Sequence, residues 1–232
     1  MPHKRIYGPT YPVVYDKWEA DGVNWIIQDL PPEDDEEAVK ILVDNLCPDE
    51  TLCALSELMK DPESVRGISE FWRYYLNERM SLGCYVEEGG TKKLVALNVC
   101  LVTCEGEHDE VEIVGEKWKN VYDVLCLMEE KEDAFKYLGL DKLLYAMGLV
   151  VKREYRGSKL GAKVLAARRG LALSQGLKGT STVFTGIASQ KVAYMCGFEC
   201  IAEAPIKHFA ELGLKYPKDD ETLIKLMVKK FE

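Results

Sequence analysis

The chain has 232 residues, of which 47% are hydrophobic, and its formal net charge is −9 at pH 7. This length and composition predict one domain over residues 1–232, with an irregular N-terminal extension over residues 1–22. The acidic balance argues against nucleic acid or an anionic membrane as a partner. The longest apolar runs, of about nine residues, are too short to span a bilayer, and no signal peptide is visible. We therefore expect a cytoplasmic monomer.

The eight cysteines are scattered through apolar segments, which is typical of free thiols in a reducing compartment. Two pairs, Cys100 with Cys104 and Cys196 with Cys200, have a C-x-x-x-C spacing, whereas zinc sites commonly use C-x-x-C or combine cysteine with histidine. The three histidines stand at no ligand-like spacing from either pair. The sequence therefore predicts no metal site.

The first half of the chain predicts a group of helices between two strand-forming segments. The strand signals are alternation of apolar and polar residues and the turn chemistry of a hairpin at Gly89-Gly90. The helix signals are acidic first turns and apolar residues at helical spacing. In chain order the predicted elements are a strand over 23–30, helices over 31–47, 49–60 and about 63–82, and hairpin strands over 84–88 and 94–105.

The second half predicts strands and helices in alternation. In chain order these are an acidic loop over 107–114, a helix over about 117–135, a buried strand over 143–152, a helix over about 158–175, a strand over 180–185, a short helix over about 189–196, a strand over 199–206, a loop over 208–220 and a last strand over 222–231. Together with the early helices, this order indicates an α+β fold around one sheet.

A basic stretch follows the buried strand. Residues 150–170, VVKREYRGSKLGAKVLAARRG, hold seven Lys or Arg in an acidic chain. A strand that runs through Arg156-Gly157 into a helix near Ser158 leaves the first N–H groups of that helix free to bind phosphate. Neither G-x-x-x-x-G-K-[ST] nor G-x-G-x-x-G is present. The later basic residues of the stretch are interpreted as a solvated flank: Lys163, Arg168 and Arg169.

The segment VKREYRGSKLGAKVL resembles the acetyl-CoA pyrophosphate loop of the GNAT acyltransferase superfamily, whose pattern is Gln/Arg-x-x-Gly-x-Gly/Ala. Arg156 fills the first position and Gly161 the last, while Lys159 stands at the middle glycine. The later segment TGIASQKVAYMCGFECIAE resembles the second element of the superfamily. Many members place a proton-donating tyrosine on this helix, at a position that is Ala193 here, with Tyr194 one residue further on.

The missing tyrosine is shared by the insect arylalkylamine N-acetyltransferase branch, of the dopamine type, which this chain resembles from residue 23 to its C-terminus. That branch carries Ser or Thr residues four apart ahead of the helix, and Thr185 and Ser189 have this spacing. It also carries an Asp-Glu pair at the start of an early helix, matched by Asp49 and Glu50. The resemblance implies that Glu50 is the general base and that Thr185 and Ser189 assist catalysis.

The resemblance also implies the fold and the binding site of the cosubstrate. It implies a single GNAT fold, a mixed central sheet of about seven strands flanked by helices, with a β-bulge at the strand that binds acetyl-CoA. Gly148, in the middle of the buried strand, fits such a bulge. The implied contacts of acetyl-CoA are Leu149, Val150, Val151, Arg156, Gly157, Ser158, Lys159, Leu160, Gly161, Ala162 and Ser189.

The implied activity is transfer of the acetyl group of acetyl-CoA to a small primary amine, by direct attack of the amine in a ternary complex. The implied substrates are arylalkylamines such as dopamine, tyramine, octopamine, serotonin and tryptamine. The aromatic residues expected around the amine are Trp72, Tyr74, Tyr75, His208, Phe209 and Tyr216. Two alternatives stay open: an acyl-CoA-binding module without turnover, and acetylation of polyamines or peptide amines.

Overall fold

A computed structural model describes residues 5–20, 22–107 and 111–231 of the chain. The described residues form one sheet of eight strands: β1 Val14–Ala20, β2 Val23–Asp29, β3 Leu82–Glu88, β4 Thr91–Cys104, β5 Lys142–Val151, β6 Gly179–Phe184, β7 Glu199–Pro205 and β8 Leu223–Lys230. Their order across the sheet is β1-β2-β3-β4-β5-β6-β8-β7. Neighbouring strands are antiparallel, except β5 and β6, which run parallel.

The helices cover both faces of the sheet. Along β4, Leu97, Val99 and Leu101 belong to a core cluster that also contains residues of the early helices, whereas Ala96 and Cys100 face a second cluster. Because β4 is covered on both sides, it is a nearly continuous apolar run. The helices are α1 Asp35–Ile41, α2 Thr51–Leu55, α3 Pro62–Leu76, α4 Glu116–Glu129, α5 Ala134–Leu138, α6 Leu160–Ser174, α7 Ile187–Met195 and α8 Ile206–Glu211. The predicted α+β architecture is confirmed.

Several predicted helix boundaries are wrong. The third helix ends at Leu76, not near residue 82, and Arg79 beyond it has a positive φ of 59°. The helix predicted over 117–135 is divided, because the Asp133 carboxylate caps a new helix by accepting from the Lys136 N–H at 3.0 Å.

The segment predicted as a loop over 208–220 lies partly in a helix. α8 occupies Ile206–Glu211, directly after Pro205 at the end of β7. Residues 108–110 of the predicted acidic loop lie outside the described residues, and residues 107 and 111–114 are in neither helix nor strand.

β1 lies inside the N-terminal extension that we expected to be irregular, so that expectation is wrong for Val14–Ala20. β1 pairs antiparallel with β2, and Trp18 stacks on Trp25 with ring centroids 5.9 Å apart. As an edge strand with a mostly exposed surface, β1 lacks the regular apolar alternation that identifies a strand in sequence. Its presence raises the strand number from the expected seven or so to eight.

A buried ion pair anchors the segment that precedes β1. The Arg5 guanidinium donates to the Asp29 carboxylate at 2.7 Å, and the side chains of the two residues are only 3% and 0% exposed. The Tyr15 hydroxyl donates to the other Asp29 oxygen at 2.8 Å. The Val13 N–H also donates to Asp29. The N-terminal segment is therefore held against β2 by one fully buried carboxylate.

All eight cysteines are free thiols, as expected, and four of them are buried. Within the described ranges, no helix is long and apolar enough to cross a membrane.

We predict that Arg5→Ala lowers the free energy of unfolding by about 3–5 kcal/mol, because it leaves the Asp29 carboxylate buried without its cation. Urea unfolding followed by circular dichroism would measure the change. Arg66→Ala is the matched control, since Arg66 pairs with Glu63 at 3.6 Å on the exposed face of α3 and such pairs contribute about 0–1 kcal/mol. Equal losses in the two variants would contradict the prediction.

Candidate active site

A cavity of about 630 Å³ lies where β5 and β6 separate. The two strands pair only at Leu144 with Thr180 and at Tyr145 with Ser181. β5 continues to Val151 without a ladder partner on that side, while β6 goes on pairing with β8. We call this divergence of residues 146–151 from residues 182–184 the strand fork. Its unpaired backbone groups on β5 are free to bind an extended ligand.

β5 has a bulge at the strand fork. Asn98 of β4 faces Leu149 and Cys100 faces Ala146, so Met147 and Gly148 lie opposite a single residue of β4. Gly148 has a φ of +115°, which side chains of L-residues rarely allow. The predicted bulge at this strand is confirmed.

Side chains hold both carbonyl groups of the bulge. The Trp72 indole N–H donates to the Met147 carbonyl at 3.0 Å, and the Asn98 amide donates to the Gly148 carbonyl at 2.9 Å. These carbonyls are therefore satisfied, and the bulge keeps its shape without help from β6.

We call residues 152–159 the basic turn, which joins β5 to α6. The helix begins at Leu160, two residues later than expected. The first N–H groups of a helix have no partner within it, and among the described residues no side chain caps those of α6. Lys159 occupies the preceding position in the left-handed conformation, with φ 62°, and Gly157 has φ +87°. A left-handed conformation explains why the superfamily pattern has glycine where this chain has Lys159.

The arginines of the basic turn contact the segment ahead of α2. Arg153 binds the Asp49 carboxylate through two nitrogens at 3.1 and 3.0 Å, and Arg156 binds it at 2.7 Å. Arg156 also donates to the Asn45 carbonyl at 2.8 Å. The hydrogen bonds from Arg153 and Arg156 hold the pKa of Asp49 below its ordinary value. Asp49 is therefore ionised at neutral pH and neutralises part of the basic turn.

Glu50 lies at the cavity wall and caps α2. Its carboxylate accepts from the Leu52 N–H at 3.0 Å and from the Cys53 N–H at 2.7 Å. The Thr185 hydroxyl, just beyond the end of β6, donates to the same carboxylate. The Ser189 hydroxyl, in the first turn of α7, donates instead to the Gly186 carbonyl at 2.8 Å. The structure thus brings Glu50 and Thr185 into direct contact, with Ser189 lining the same cavity.

The remaining wall of the cavity is largely apolar. It includes Ile68 and Trp72 of α3 and Trp118, Val121 and Leu125 of α4. No sequence signal selects Trp118, which is 1% exposed. Of the six aromatic residues expected around the amine, Trp72 alone lines this cavity, and the others do not: Tyr74, Tyr75, His208, Phe209 and Tyr216.

Nearly all the residues predicted to bind acetyl-CoA line this one cavity. The exception is Ser158, which is exposed and donates to the Tyr155 carbonyl at 2.7 Å. The lining residues are Leu149, Val150, Val151, Arg156, Gly157, Lys159, Leu160, Gly161, Ala162 and Ser189. Tyr194 does not line the cavity; it is exposed and close to Lys225.

The interpretation of Arg168 as part of a solvated flank is wrong. Arg168 is 1% exposed and lines the cavity. The sequence contains the signal, because Arg168 lies at helical spacing from Val164, Leu165 and Leu171, all of which are buried. Because its side chain is charged, Arg168 is not readily recognised as part of the apolar stripe of α6.

Within the described residues, no group of three or more His, Cys, Asp or Glu is placed to hold a metal ion. The expectation of a metal-independent protein stays a prediction.

The structure is similar to solved N-acetyltransferases. The candidate arylalkylamine N-acetyltransferase 7 of the mosquito Aedes aegypti is 27% identical, with a TM-score of 0.92 over 99% of this chain and 100% of that one. Arylalkylamine N-acetyltransferase 2 of Aedes aegypti is 18% identical, with a TM-score of 0.77 over 90% and 99%. A Drosophila melanogaster polyamine N-acetyltransferase that forms N-acetylagmatine is 16% identical, with a TM-score of 0.71 over 89% and 100%.

No family model matches the sequence, and no curated protein matches it either. The bulged strand, the strand fork and the basic turn ahead of α6 nevertheless define an acyltransferase with the GNAT fold. Together with the full-length structural similarity, they show that the chain is an N-acetyltransferase with the GNAT fold, whose structure resembles those of arylalkylamine N-acetyltransferases.

We predict that Lys159→Gly raises the free energy of unfolding by about 0.5–1 kcal/mol. The left-handed conformation costs an L-residue about 1–2 kcal/mol, and the added freedom of glycine in the unfolded chain offsets part of that gain. Lys159→Ala removes the same charge but keeps the strained conformation, so it should be no more stable than the parent. Urea unfolding of both variants tests this. Equal stability of the two variants would contradict it.

Proposed function

We propose that the chain transfers the acetyl group of acetyl-CoA to a small primary amine with one cationic nitrogen and an apolar body, an arylalkylamine, with Glu50 as general base. The contact between Glu50 and Thr185 at the wall of the cavity carries this proposal. The names of the similar Aedes proteins, arylalkylamine N-acetyltransferases, support the class of substrate.

The chemistry requires a base because a primary amine is protonated at neutral pH. An amine with a pKa near that of lysine, about 10.4, loses its proton at pH 7.4 at a cost of about 4 kcal/mol. An ionised carboxylate offers about four acceptor positions. Leu52, Cys53 and Thr185 occupy three of those of Glu50, which leaves one for the amine. Glu50 can therefore bind the ammonium ion and take its proton.

Acetyl-CoA fits the remainder of the cavity. The uncapped start of α6 and the basic turn suit its pyrophosphate. The unpaired edge of β5 in the strand fork suits the amide groups of pantetheine, which pair with a strand as another strand would. The thioester would then lie near the bulge at Met147 and Gly148, within the cavity that Glu50 also lines.

The reaction forms a bond between the amine nitrogen and the thioester carbon and breaks the bond from that carbon to sulfur. The oxyanion that forms in between needs hydrogen-bond donors, for which the free N–H groups of β5 are available. The departing thiolate needs a proton donor, and the hydroxyl groups of Thr185 and Ser189 are the candidates on the cavity wall. Neither is a tyrosine, in agreement with Ala193 at the usual tyrosine position.

The charges of the cavity favour a monoamine. Within the described residues, Asp49 and Glu50 are the acidic side chains that line it, and two arginines already bind Asp49. One carboxylate therefore remains to pair with a cation. A polyamine would bury a second ammonium group against Trp72 and Trp118 without a partner, which is unfavourable.

We predict that Glu50→Gln lowers kcat by about 10²–10⁴-fold, because the amide cannot accept the proton, while the Kd for CoA stays the same. Steady-state kinetics with tryptamine and calorimetry with CoA measure the two quantities. Asp61→Asn is the matched control: Asp61 caps α3 in the same way, and it does not line the cavity. A similar kcat loss in both variants would show that Glu50 acts through helix stability.

We predict that kcat/KM for tyramine or tryptamine exceeds that for agmatine by about 100-fold or more, since agmatine has a second cation that the cavity does not pair. Release of CoA with a thiol reagent measures the rates. A preference for agmatine or spermidine would replace the arylalkylamine proposal with polyamine acetylation. CoA binding without transfer to any amine or peptide would identify a binding module instead.

A further inference from the structure

Arg168 lies on the buried side of α6. Among the described residues, no Asp or Glu forms a salt bridge with it. Its Nε donates to the Asn98 side-chain oxygen at 2.6 Å, and its Nη1 donates to the Thr182 hydroxyl at 2.8 Å. Burial lowers the pKa of this guanidinium below its ordinary value.

Such a residue lowers the stability of the fold. Removing a cation from water costs several kcal/mol, and two neutral acceptors return only part of that. The neighbours in the same stripe of α6, Val164, Leu165 and Leu171, are aliphatic, so an aliphatic residue would suit the position on packing grounds. Packing therefore does not explain why a cation occupies this position. Its location between β4 and β6 offers an explanation.

The two acceptors of Arg168 lie on opposite sides of β5. Asn98 is on β4, where it pairs with Leu149 and holds the carbonyl of Gly148 in the bulge. Thr182 is on β6, directly after Ser181, the last residue of β6 that pairs with β5. The guanidinium thus lies where the two strands separate and links β4 to β6 beneath the bulge. It also lines the cavity at this place.

We propose that Arg168 is a positioning residue that maintains the strand fork and thereby admits the pantetheine arm of acetyl-CoA. This rests on the proposed use of acetyl-CoA. Unpaired strand edges tend to pair with each other at a spacing of about 4.8 Å. A rigid, planar guanidinium bonded to Thr182 prevents β6 from closing onto β5 beyond Ser181. Lysine, with a single ammonium group, does not reproduce this planar two-sided contact.

Thr182→Val and Thr180→Val form the first test. Both hydroxyls are buried on β6, but Thr180 donates to the Leu144 carbonyl in the closed part of the ladder, and Thr182 accepts from Arg168. Calorimetric titration with CoA should show a Kd about tenfold higher for Thr182→Val, the loss expected for one hydrogen bond to a charged group, and an unchanged Kd for Thr180→Val. An unchanged Kd in Thr182→Val would overturn the proposal.

Two variants of Arg168 form the second test. Arg168→Met distinguishes a positioning role from a contribution to stability, and Arg168→Lys distinguishes it from an effect of charge alone. Arg168→Met removes an unpaired buried cation but leaves the Asn98 side-chain oxygen without its donor, so we expect a thermal stability close to that of the parent, while its Kd for CoA rises. A purely structural role would lower stability and leave the Kd unchanged. Arg168→Lys should bind CoA as weakly as Arg168→Met. Parent-like binding by Arg168→Lys would show that charge alone matters and would overturn the positioning role.

The parent protein distinguishes this proposal from the proposed function. CoA binding by the parent without acetyl transfer to any amine would contradict the proposed function and leave the comparison of Arg168 and Thr182 variants valid. Absence of CoA binding by the parent would overturn both.

Discussion

Strands β5 and β6 share two residue pairs and then separate, although both continue for several residues. Each unpaired backbone group in a buried place needs another partner, so the separation persists only where something else satisfies the strands. The other edge of β6 forms hydrogen bonds with β8. The bulge carbonyls of β5 accept hydrogen bonds from Trp72 and Asn98. The groups that remain on β5 face the cavity. The cavity thus lies where the sheet is left unpaired.

The candidate base depends on the same geometry. Glu50 is the N-cap residue of α2, a five-residue helix that is too short to be stable alone. Its carboxylate is held by two N–H groups of that helix and by Thr185, which follows the end of β6. Capping of α2 and the proposed role of Glu50 as base are therefore compatible at this position. The interactions that stabilise the start of α2 also orient the carboxylate toward the cavity.

Charge is arranged locally in a chain that is acidic as a whole. The positive charges of Arg153 and Arg156 would repel each other without a neighbouring negative charge. Asp49, next to Glu50, provides one by pairing with both arginines. Asp49 thereby links the basic turn with the start of α2. Among the described residues that line the cavity, Glu50 is then the acidic side chain that no arginine pairs.

The sequence by itself determined the α+β order, the bulge near Gly148 and the basic turn, and motif spacing selected Glu50 and Thr185, which lie in contact. These features depend on glycine positions, on local charge and on spacing along the chain. It did not determine β1, the break before α5 or the apolar wall at Trp118, because pairing partners and caps decide these after the chain folds. Arg168 is the clearest case. Its spacing places it on the buried stripe of α6. Only the tertiary structure brings Asn98 and Thr182 together across β5, where they accept hydrogen bonds from its buried guanidinium.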